Sequence, residues 1–454
     1  MTLPEDFRHL MQQQWGDEFA RQLCQDIETS QPQVSFRLNP QKPAHNPVSL
    51  ASVPWCPNAY YVADRPPFTF DPLFHAGAYY VQEASSMFLA QVLLQYVSAP
   101  LSALDLCAAP GGKSTLLRSL LPEGSLLVCN EPIRQRAQVL SENMTKWGNP
   151  HTVVTQEYPD AFSPLHHFFD LIVADVPCSG EGMFRKDDEA IQEWSMQNVE
   201  LCWQRQREII RSVWPSLRPG GILVYSTCTF NAFEDEENVQ WICRELGAEI
   251  LPVAHPQEWG IVGEHHFFPG KTKGEGFFLA AVRKLDDGST EDASPPKTKK
   301  TERGKQKTSE PTFTRQWIEG DFIFFADEQT YTAFPSAYEK EIKRLLLTLR
   351  PLSYGVQIAE KKGNDWIPSH ALAMSLAYKR GTFPEAALSY EEALTYLRRE
   401  SIQVAAPKGI VLVTYQGQPL GFVKNLGNRA NNLYPQEWRI RSGYTTPFCI
   451  TDLE

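Results

Sequence analysis

Asp105-Leu-Cys-Ala-Ala-Pro-Gly-Gly-Lys-Ser-Thr115 decides how the middle of this 454-residue chain is read. Its Gly-Gly-Lys-Ser ending suggests a phosphate loop. A Walker A loop, G-x-x-x-x-G-K-[ST], aligned on Gly112-Lys113-Ser114 requires glycine at 107, where Cys107 stands. Pro110 lacks one of the backbone N–H donors that such a cradle uses. The run Leu171-Ile-Val-Ala-Asp175 has the look of a Walker B strand and keeps an NTPase as a rival. The stretch fits better as a turn around a nucleoside cofactor. A strand ends at Leu106, small residues (Ala108, Ala109, Gly111, Gly112) let the backbone approach a ligand, and a helix begins near Ser114. Glu131, 20 residues after Gly111, ends the next strand, at the separation where an acid receives ribose hydroxyls.

Around this turn, between residues 101 and 284, short apolar runs alternate with amphipathic segments. The runs are Ala103-Leu-Asp-Leu106, Ser125-Leu-Leu-Val-Cys129, Thr152-Val-Val154, Asp170-Leu-Ile-Val-Ala174 and Gly221-Ile-Leu-Val-Tyr225. Such unalternated runs suit strands buried on both faces of a parallel sheet. Val199, Trp203, Gln206, Ile210 and Val213 follow a helical spacing between the last two, closed by Pro215 and Arg218-Pro-Gly-Gly221. The expected fold is a doubly wound α/β domain over residues 101–284. Residues 1–100 read as an N-terminal α+β extension with a strand at Val34-Ser-Phe-Arg-Leu-Asn39. Residues 313–454 read as a separate small α+β domain or pair of subdomains, with strands at Gly409-Ile-Val-Leu-Val-Thr414 and Leu420-Gly-Phe-Val423 and a helix from Tyr390 to Arg399. Residues 285–312 between them have few apolar side chains and crowd Lys297, Lys299, Lys300, Arg303, Lys305 and Lys307 together. They read as a disordered linker, either a solvated tether or a basic arm on phosphates.

Composition bounds the partners. With 42% hydrophobic and 21% charged residues, the chain can bury a sizeable core. The formal net charge of -11 argues against a generally basic coat, yet RNA binding needs only a local basic surface. No uninterrupted apolar run approaches membrane length and no basic-then-apolar leader opens the chain, so a cytoplasmic protein is expected, without a membrane partner. Nine cysteines with no C-x-x-C pair argue against both a disulfide framework and a thiolate metal site, and no metal is expected.

Two of those cysteines stand out. Asp175-Val-Pro-Cys178-Ser-Gly places an acid and a thiol just past one strand, and Tyr225-Ser-Thr-Cys228-Thr-Phe places a thiol past the next. Ligands of doubly wound sheets bind beyond the carboxyl ends of the strands, so both thiols should face the crevice that holds Glu131 and the glycine turn. Cys129, Cys202 and Cys243 lie within a strand or on amphipathic helices, where inert burial is expected.

Four ordered stretches, Cys107-Ala-Ala-Pro-Gly-Gly-Lys113, Asp175-Val-Pro-Cys-Ser-Gly-Glu-Gly-Met-Phe-Arg185, Ser226-Thr-Cys-Thr-Phe230 and Gly274-Glu-Gly-Phe-Phe278, resemble the successive motifs of the Nop/Sun family of RNA cytosine-5 methyltransferases. Phe36-Arg-Leu-Asn39 and Gly77-Ala-Tyr-Tyr-Val-Gln-Glu-Ala-Ser-Ser86 resemble that family's N-terminal motifs. The full layout resembles the bacterial RsmF-type ribosomal RNA methyltransferases, which end in a PUA-like RNA-binding domain. The resemblance implies a Rossmann-like methyltransferase sheet, S-adenosylmethionine as cofactor and RNA as partner, most closely 16S ribosomal RNA, with a monomer expected. It implies that Cys228 adds to cytosine C6, that Cys178 assists release of the adduct, and that Asp175 contacts the cytosine edge. The chemistry needs such groups, because C5 is a poor nucleophile until a thiolate at C6 makes it enamine-like. The cofactor is implied on Cys107, Ala108, Ala109, Pro110, Gly111, Gly112, Lys113, Glu131 and Asp175, with Arg136 in addition.

The sequence departs from the family in places. The usual Asn-x-Asp after the third strand is missing within Thr155-Gln-Glu-Tyr158, leaving Gln156 or Glu157 near the adenine. Gly270 stands where relatives often have His, and no Pro follows Asn231. For RNA, family position points to Arg37 and Asn39, and Arg185-Lys186 could clamp a phosphate, although both sets have structural readings. In the C-terminal domain Lys424 and Arg429, interleaved with Tyr434 and Trp438, could grip phosphates and stack on bases. The rivals are a tRNA-directed enzyme of the same chemistry and a non-catalytic RNA-binding or ribosome-assembly factor. Asp175, Cys178 and Cys228 together speak against the last.

Overall fold

The computed structural model describes residues 2–42, 49–286, 288, 314–443 and 447–453, so nearly all of the expected linker lies outside the described residues. Two helices, Glu5–Trp15 and Asp17–Thr29, open the fold, separated by Gly16 at φ +83°, a conformation that suits glycine. The first places Phe7, Leu10 and Met11 on one buried face. A three-stranded antiparallel sheet follows, with β1 (Val34–Leu38) between β2 (Ala59–Val62) and β3 (Tyr79–Val81).

The main sheet starts with β4 (Ser102–Asp105), β5 (Leu126–Asn130), β6 (Thr152–Thr155), β7 (Phe169–Asp175) and β8 (Leu217–Thr227). These five are parallel in the order β6-β5-β4-β7-β8, and the order reverses between β4 and β7. Farther along come β9 (Ala248–Leu251), β10 (His266–Phe267) and β11 (Phe277–Lys284), the last antiparallel to β8. The unalternated apolar runs are explained by burial on both faces. Ala103, Leu127, Leu171 and Val224 point into one core, and their neighbours Leu104, Val128, Ile172 and Leu223 into the other. This is the expected Rossmann-like sheet, with its ligand crevice at the β4/β7 switch point.

The C-terminal region forms β12 (Phe322–Ala326), β13 (Thr330–Pro335), β14 (Pro351–Tyr354), β15 (Val356–Lys362) and β16 (Asp365–Pro368), then β17 (Glu385–Ala387), β18 (Gly409–Tyr415), β19 (Gln418–Asn425) and β20 (Ala430–Asn432). Eight of these nine make two four-stranded sheets, β12-β13-β15-β16 and β17-β18-β19-β20. The ninth crosses the expected division of the chain: β14 adds antiparallel to β6, with Tyr354 opposite Val153, and covers that edge of the main sheet. Pro351-Leu-Ser-Tyr354 carries no strand pattern of its own, because pairing with a preformed edge is what makes it a strand. The last sheet also shares a core with the first: Phe36 and Tyr79 pack in one cluster with Tyr396, Val411 and Ile450. Among the described residues no helix is long and apolar enough to cross a membrane.

Candidate active site

The glycine turn is stapled to both neighbouring strand ends. Leu106 N–H donates to Val173 O and Ala108 N–H to Asn130 O, both at 2.8 Å. Asn130 Nδ2 donates to Leu106 O and Glu157 O, and its Oδ1 accepts from Thr155 and Glu157, tying the turns after β4 and β6 together. Gly111 takes φ +116°, as glycine allows, and the helix Gly112–Leu120 starts there with its N–H groups facing the crevice end of the sheet. Below it Asp105 is fully buried; Oδ2 accepts the Ser114 hydroxyl at 2.6 Å, while Oδ1 has no partner. Burial pushes the Asp105 carboxyl up to about 7, against the pull of Ser114 and Lys113.

Asp175 closes β7. Its Oδ1 accepts from Ser226 at 2.8 Å and its Oδ2 pairs with Lys113 Nζ at 2.8 Å. The Lys113 side chain is thus drawn inward to this acid and only 12% exposed. Burial alone would lower its pKa, but the Asp175 charge and hydrogen bond outweigh burial and leave it raised. Beside this pair Cys178 Sγ lies 2.9 Å from Cys228 Sγ, and the Cys228 N–H donates to Cys178 Sγ at 3.3 Å. Contact with Cys228, then burial, holds the Cys178 thiol well above the usual range, so it keeps its proton at neutral pH.

Buried acids frame the two thiol loops. Glu181 accepts from the Phe230 N–H at 2.7 Å, from Trp194 Nε1 and from Asn231 Nδ2. Glu234 accepts from Ser179 N, Asn231 Nδ2 and Gln206 Nε2, and burial pushes it up to about 7. Asn231 thus holds its turn without the family's proline. Gly182 and Gly276 are in contact: a Cβ on Gly182 would sit 2.2 Å from Gly276 O, so neither loop tolerates a side chain there. Gly270 takes φ +81°, a conformation that suits glycine, so any side chain there would be strained. Glu181 and Glu234 were not singled out in the sequence. Acids inside Gly-Glu-Gly and an acidic run read as solvated, and only the fold turns them inward.

Several expected RNA contacts are corrected. Arg37, 1% exposed, donates to Thr115 Oγ1 at 2.8 Å, Ser119 Oγ at 3.1 Å and Gly112 O at 3.4 Å, and stacks on Trp147. It braces the helix behind the glycine turn and does not face RNA. Asn39 is buried equally and donates to Gly77 O and Trp147 O. The side chain of Arg185 is 5% exposed and bonds Glu275 and Gly274 O, whereas Lys186 is exposed, with Nζ 3.6 Å from Glu275, and stays open to a phosphate. Tyr434 is core, not a stacking platform, whereas Lys424 and Arg429 are exposed. Arg37→Ala is expected to cost about 3 kcal/mol of stability by stranding buried acceptors. Urea melts should show that loss, with the salt slope of RNA binding unchanged.

Glu131 lies at the end of β5, buried, with Oε1 accepting from Ile133 N–H at 3.0 Å and Oε2 3.5 Å from Arg136 Nη1; Arg136 also reaches Ala109 O. Arg136 thus pins Glu131 to the glycine turn. Of the two candidates after β6, Glu157 accepts the Arg350 N–H at 3.0 Å, a tie to the C-terminal region, and Gln156 beside it is half-buried. A cleft of about 800 Å³ beside β6 and β14, lined by Glu142, Tyr354, Glu360 and Trp438, holds none of these groups.

The chain matches a family model described as 16S rRNA methyltransferase RsmB/F over residues 93–283. Models for the N-terminal domain of 16S rRNA methyltransferase RsmF and for the methyltransferase RsmF PUA domain match residues 3–84 and 383–440. Ribosomal RNA small subunit methyltransferase F of Enterobacter sp. (strain 638) is 32% identical over 415 residues, covering 86% of this chain and 84% of the relative. The protein of that name from Citrobacter koseri is 32% identical over 414 residues, covering 86% and 85%. Among solved structures, NSun6 from Pyrococcus horikoshii with SFG has a TM-score of 0.53 at 19% identity, covering 63% of this chain and 99% of its own. A methyltransferase homolog protein from Pyrococcus horikoshii has a TM-score of 0.52 at 24% identity, covering 62% and 100%. Both describe the same fold.

Proposed function

The chain belongs to the RsmB/F family of 16S rRNA methyltransferases, and from that premise we propose that it forms 5-methylcytosine in small-subunit ribosomal RNA with S-adenosylmethionine as donor. The reading is carried by one observation: two free thiols 2.9 Å apart at neighbouring strand ends, with a carboxylate beside them.

The residues present fit the cofactor. The helix start at Gly112 suits its carboxylate, buried Glu131 suits ribose hydroxyls, and the unpartnered Asp105 Oδ1 suits its ammonium group. When bound it supplies an electrophilic methyl group on a positive sulfur. The remaining steps belong to the chain's side chains and to the RNA. The target cytosine leaves its stack to enter the crevice. The Cys228 thiolate adds to C6, forming a C–S bond and moving the ring electrons to C5, which takes the methyl group. Asp175 hydrogen-bonds the cytosine edge as charge builds there, its own position held by Lys113 and Ser226. Water in the crevice takes the C5 proton, the electron pair left behind re-forms the C5–C6 double bond, the C–S bond breaks, and Cys228 leaves as thiolate. Cys178, kept protonated, is an S–H donor 2.9 Å from that departing sulfur.

Lys424 on β19 and Arg429 in the loop after it are proposed to hold RNA phosphates from the PUA region. Replacing each by Ala is expected to reduce the salt slope of RNA binding by about 1, read by filter binding across a salt series. The function itself is tested by bisulfite sequencing of ribosomal RNA from cells with and without the protein. A cytosine that resists conversion only when the protein is present is expected. The setting for such an enzyme is the bacterial cytoplasm, where small subunits are made.

A further inference from the structure

Behind Cys228 lies a group of polar side chains that methyl transfer, as proposed, leaves unused. Thr227, the last residue of β8, is fully buried, and its hydroxyl donates to Asp235 Oδ1 at 2.6 Å. Asp235 stands at the start of the helix Glu236–Leu246, fully buried, with Oδ2 lacking a hydrogen-bond partner. Its nearest neighbour of opposite character is His266 Nδ1, 3.8 Å away on β10, which is also buried and unpartnered. The other edge of that ring is occupied, with His266 Nε2 2.7 Å from Glu236 Oε1. Phe268 stacks on the imidazole at 5.4 Å, and Trp15 meets it edge-on at 5.1 Å.

Two carboxylates and an imidazole within reach of one another suggest a divalent cation. The placement argues otherwise. His266 Nε2 is already engaged by Glu236 Oε1 at 2.7 Å, while Nδ1 faces Asp235 Oδ2 at 3.8 Å without a hydrogen bond. Burial pushes the Asp235 carboxyl well above the usual carboxylate range, so the acid beside Nδ1 is neutral and a poor cation ligand.

We propose that His266 is a positioning residue for the methyl-transfer site. Glu236 orients the ring, the ring holds Asp235, and Asp235 holds the Thr227 hydroxyl, which stops the strand end that presents Cys228 from rotating. Cys228 needs this constraint more than most strand-end residues, because the N–H it donates to Cys178 ties the backbone of one loop to the sulfur of the other. A small rotation at Thr227 would open that contact and move the nucleophile away from C6. The inference rests on Cys228 being the nucleophile.

The test uses full-length protein and a 16S transcript made with 5-fluorocytidine, whose C5 fluorine cannot leave and so arrests the covalent adduct. Adduct formation at saturating RNA, S-adenosylmethionine affinity and melting temperature are measured for wild type, Thr227→Val, His266→Gln and His266→Asn. The Gln amide keeps a donor toward Glu236, and the Asn amide keeps one toward Asp235. Thr227→Val and His266→Gln are expected to form adduct about 10-fold more slowly, with cofactor affinity and RNA KM within about twofold. His266→Asn should stay within about threefold of wild type while melting no higher than His266→Gln. Equal losses in the Gln and Asn variants, or wild-type speed in Thr227→Val, would reduce the ring to core packing and overturn the proposal. A stoichiometric divalent metal in the purified protein would overturn it as well, by putting an ion in the ring's role. Adduct missing from wild type would instead strike the nucleophile assignment, and the inference with it.

Discussion

Cys228→Ala removes methylation, with a fall of more than about 10⁴-fold in turnover, while S-adenosylmethionine affinity stays within about twofold. The size of the loss follows from the substrate. Without a thiolate at C6 the cytosine ring has almost no carbon nucleophilicity at C5, so no remaining group can carry the reaction at reduced speed. The cofactor side is untouched, because Asp105 ends β4, the helix start at Gly112 comes after it and Glu131 follows β5, whereas Cys228 follows β8. Single-turnover assays with labelled cofactor, beside calorimetric titration of cofactor alone, separate the two quantities. A variant that still methylates at a tenth of the normal rate would place the nucleophile elsewhere.

Cys178→Ala should fail at the other end of the cycle. Cys228 can still add and the methyl group can still be transferred, but the raised thiol that would exchange a proton beside the departing sulfur is gone. Protein joined to RNA should accumulate as a slowly migrating band on denaturing gels, approaching one per active site, and turnover after the first round should fall by about 10²-fold or more. The band must vanish in the Cys178→Ala/Cys228→Ala double variant. A Cys178→Ala protein that turns over freely, with no band, would deny Cys178 any part in release.

The parallel strands were legible because burial on both faces writes continuous apolar runs, and the location of the site followed from them, since ligands sit beyond strand ends. The two thiols were legible for the same reason. What could not be read was the partner of each polar side chain. Arg37 looks the same in sequence whether it meets a phosphate or, as here, Thr115 and Ser119, 78 and 82 residues away. Arg185 is similar, because Glu275, which neutralises it, lies 90 residues on. Glu181 and Glu234 pass for surface acids until the loops close over them. β14 was hidden because its pairing energy belongs to the exposed edge of β6 more than to its own residues.

The joining of the two ends of the chain bears on how the protein is made. Asp71, buried in the N-terminal region, receives the Tyr79 hydroxyl and also the backbone N–H of Ile450, 379 residues later. Tyr390 likewise donates to Phe70 O. A ribosome releases these residues in order, so the first region to emerge waits, with an acid and part of its apolar face uncovered, until the stretch around Ile450 has followed it out. The frame that braces the glycine turn through Arg37 is then finished only when that stretch docks. A chain cut before Ile450 would leave Asp71 without that N–H and the cluster around Phe36 and Tyr79 partly uncovered.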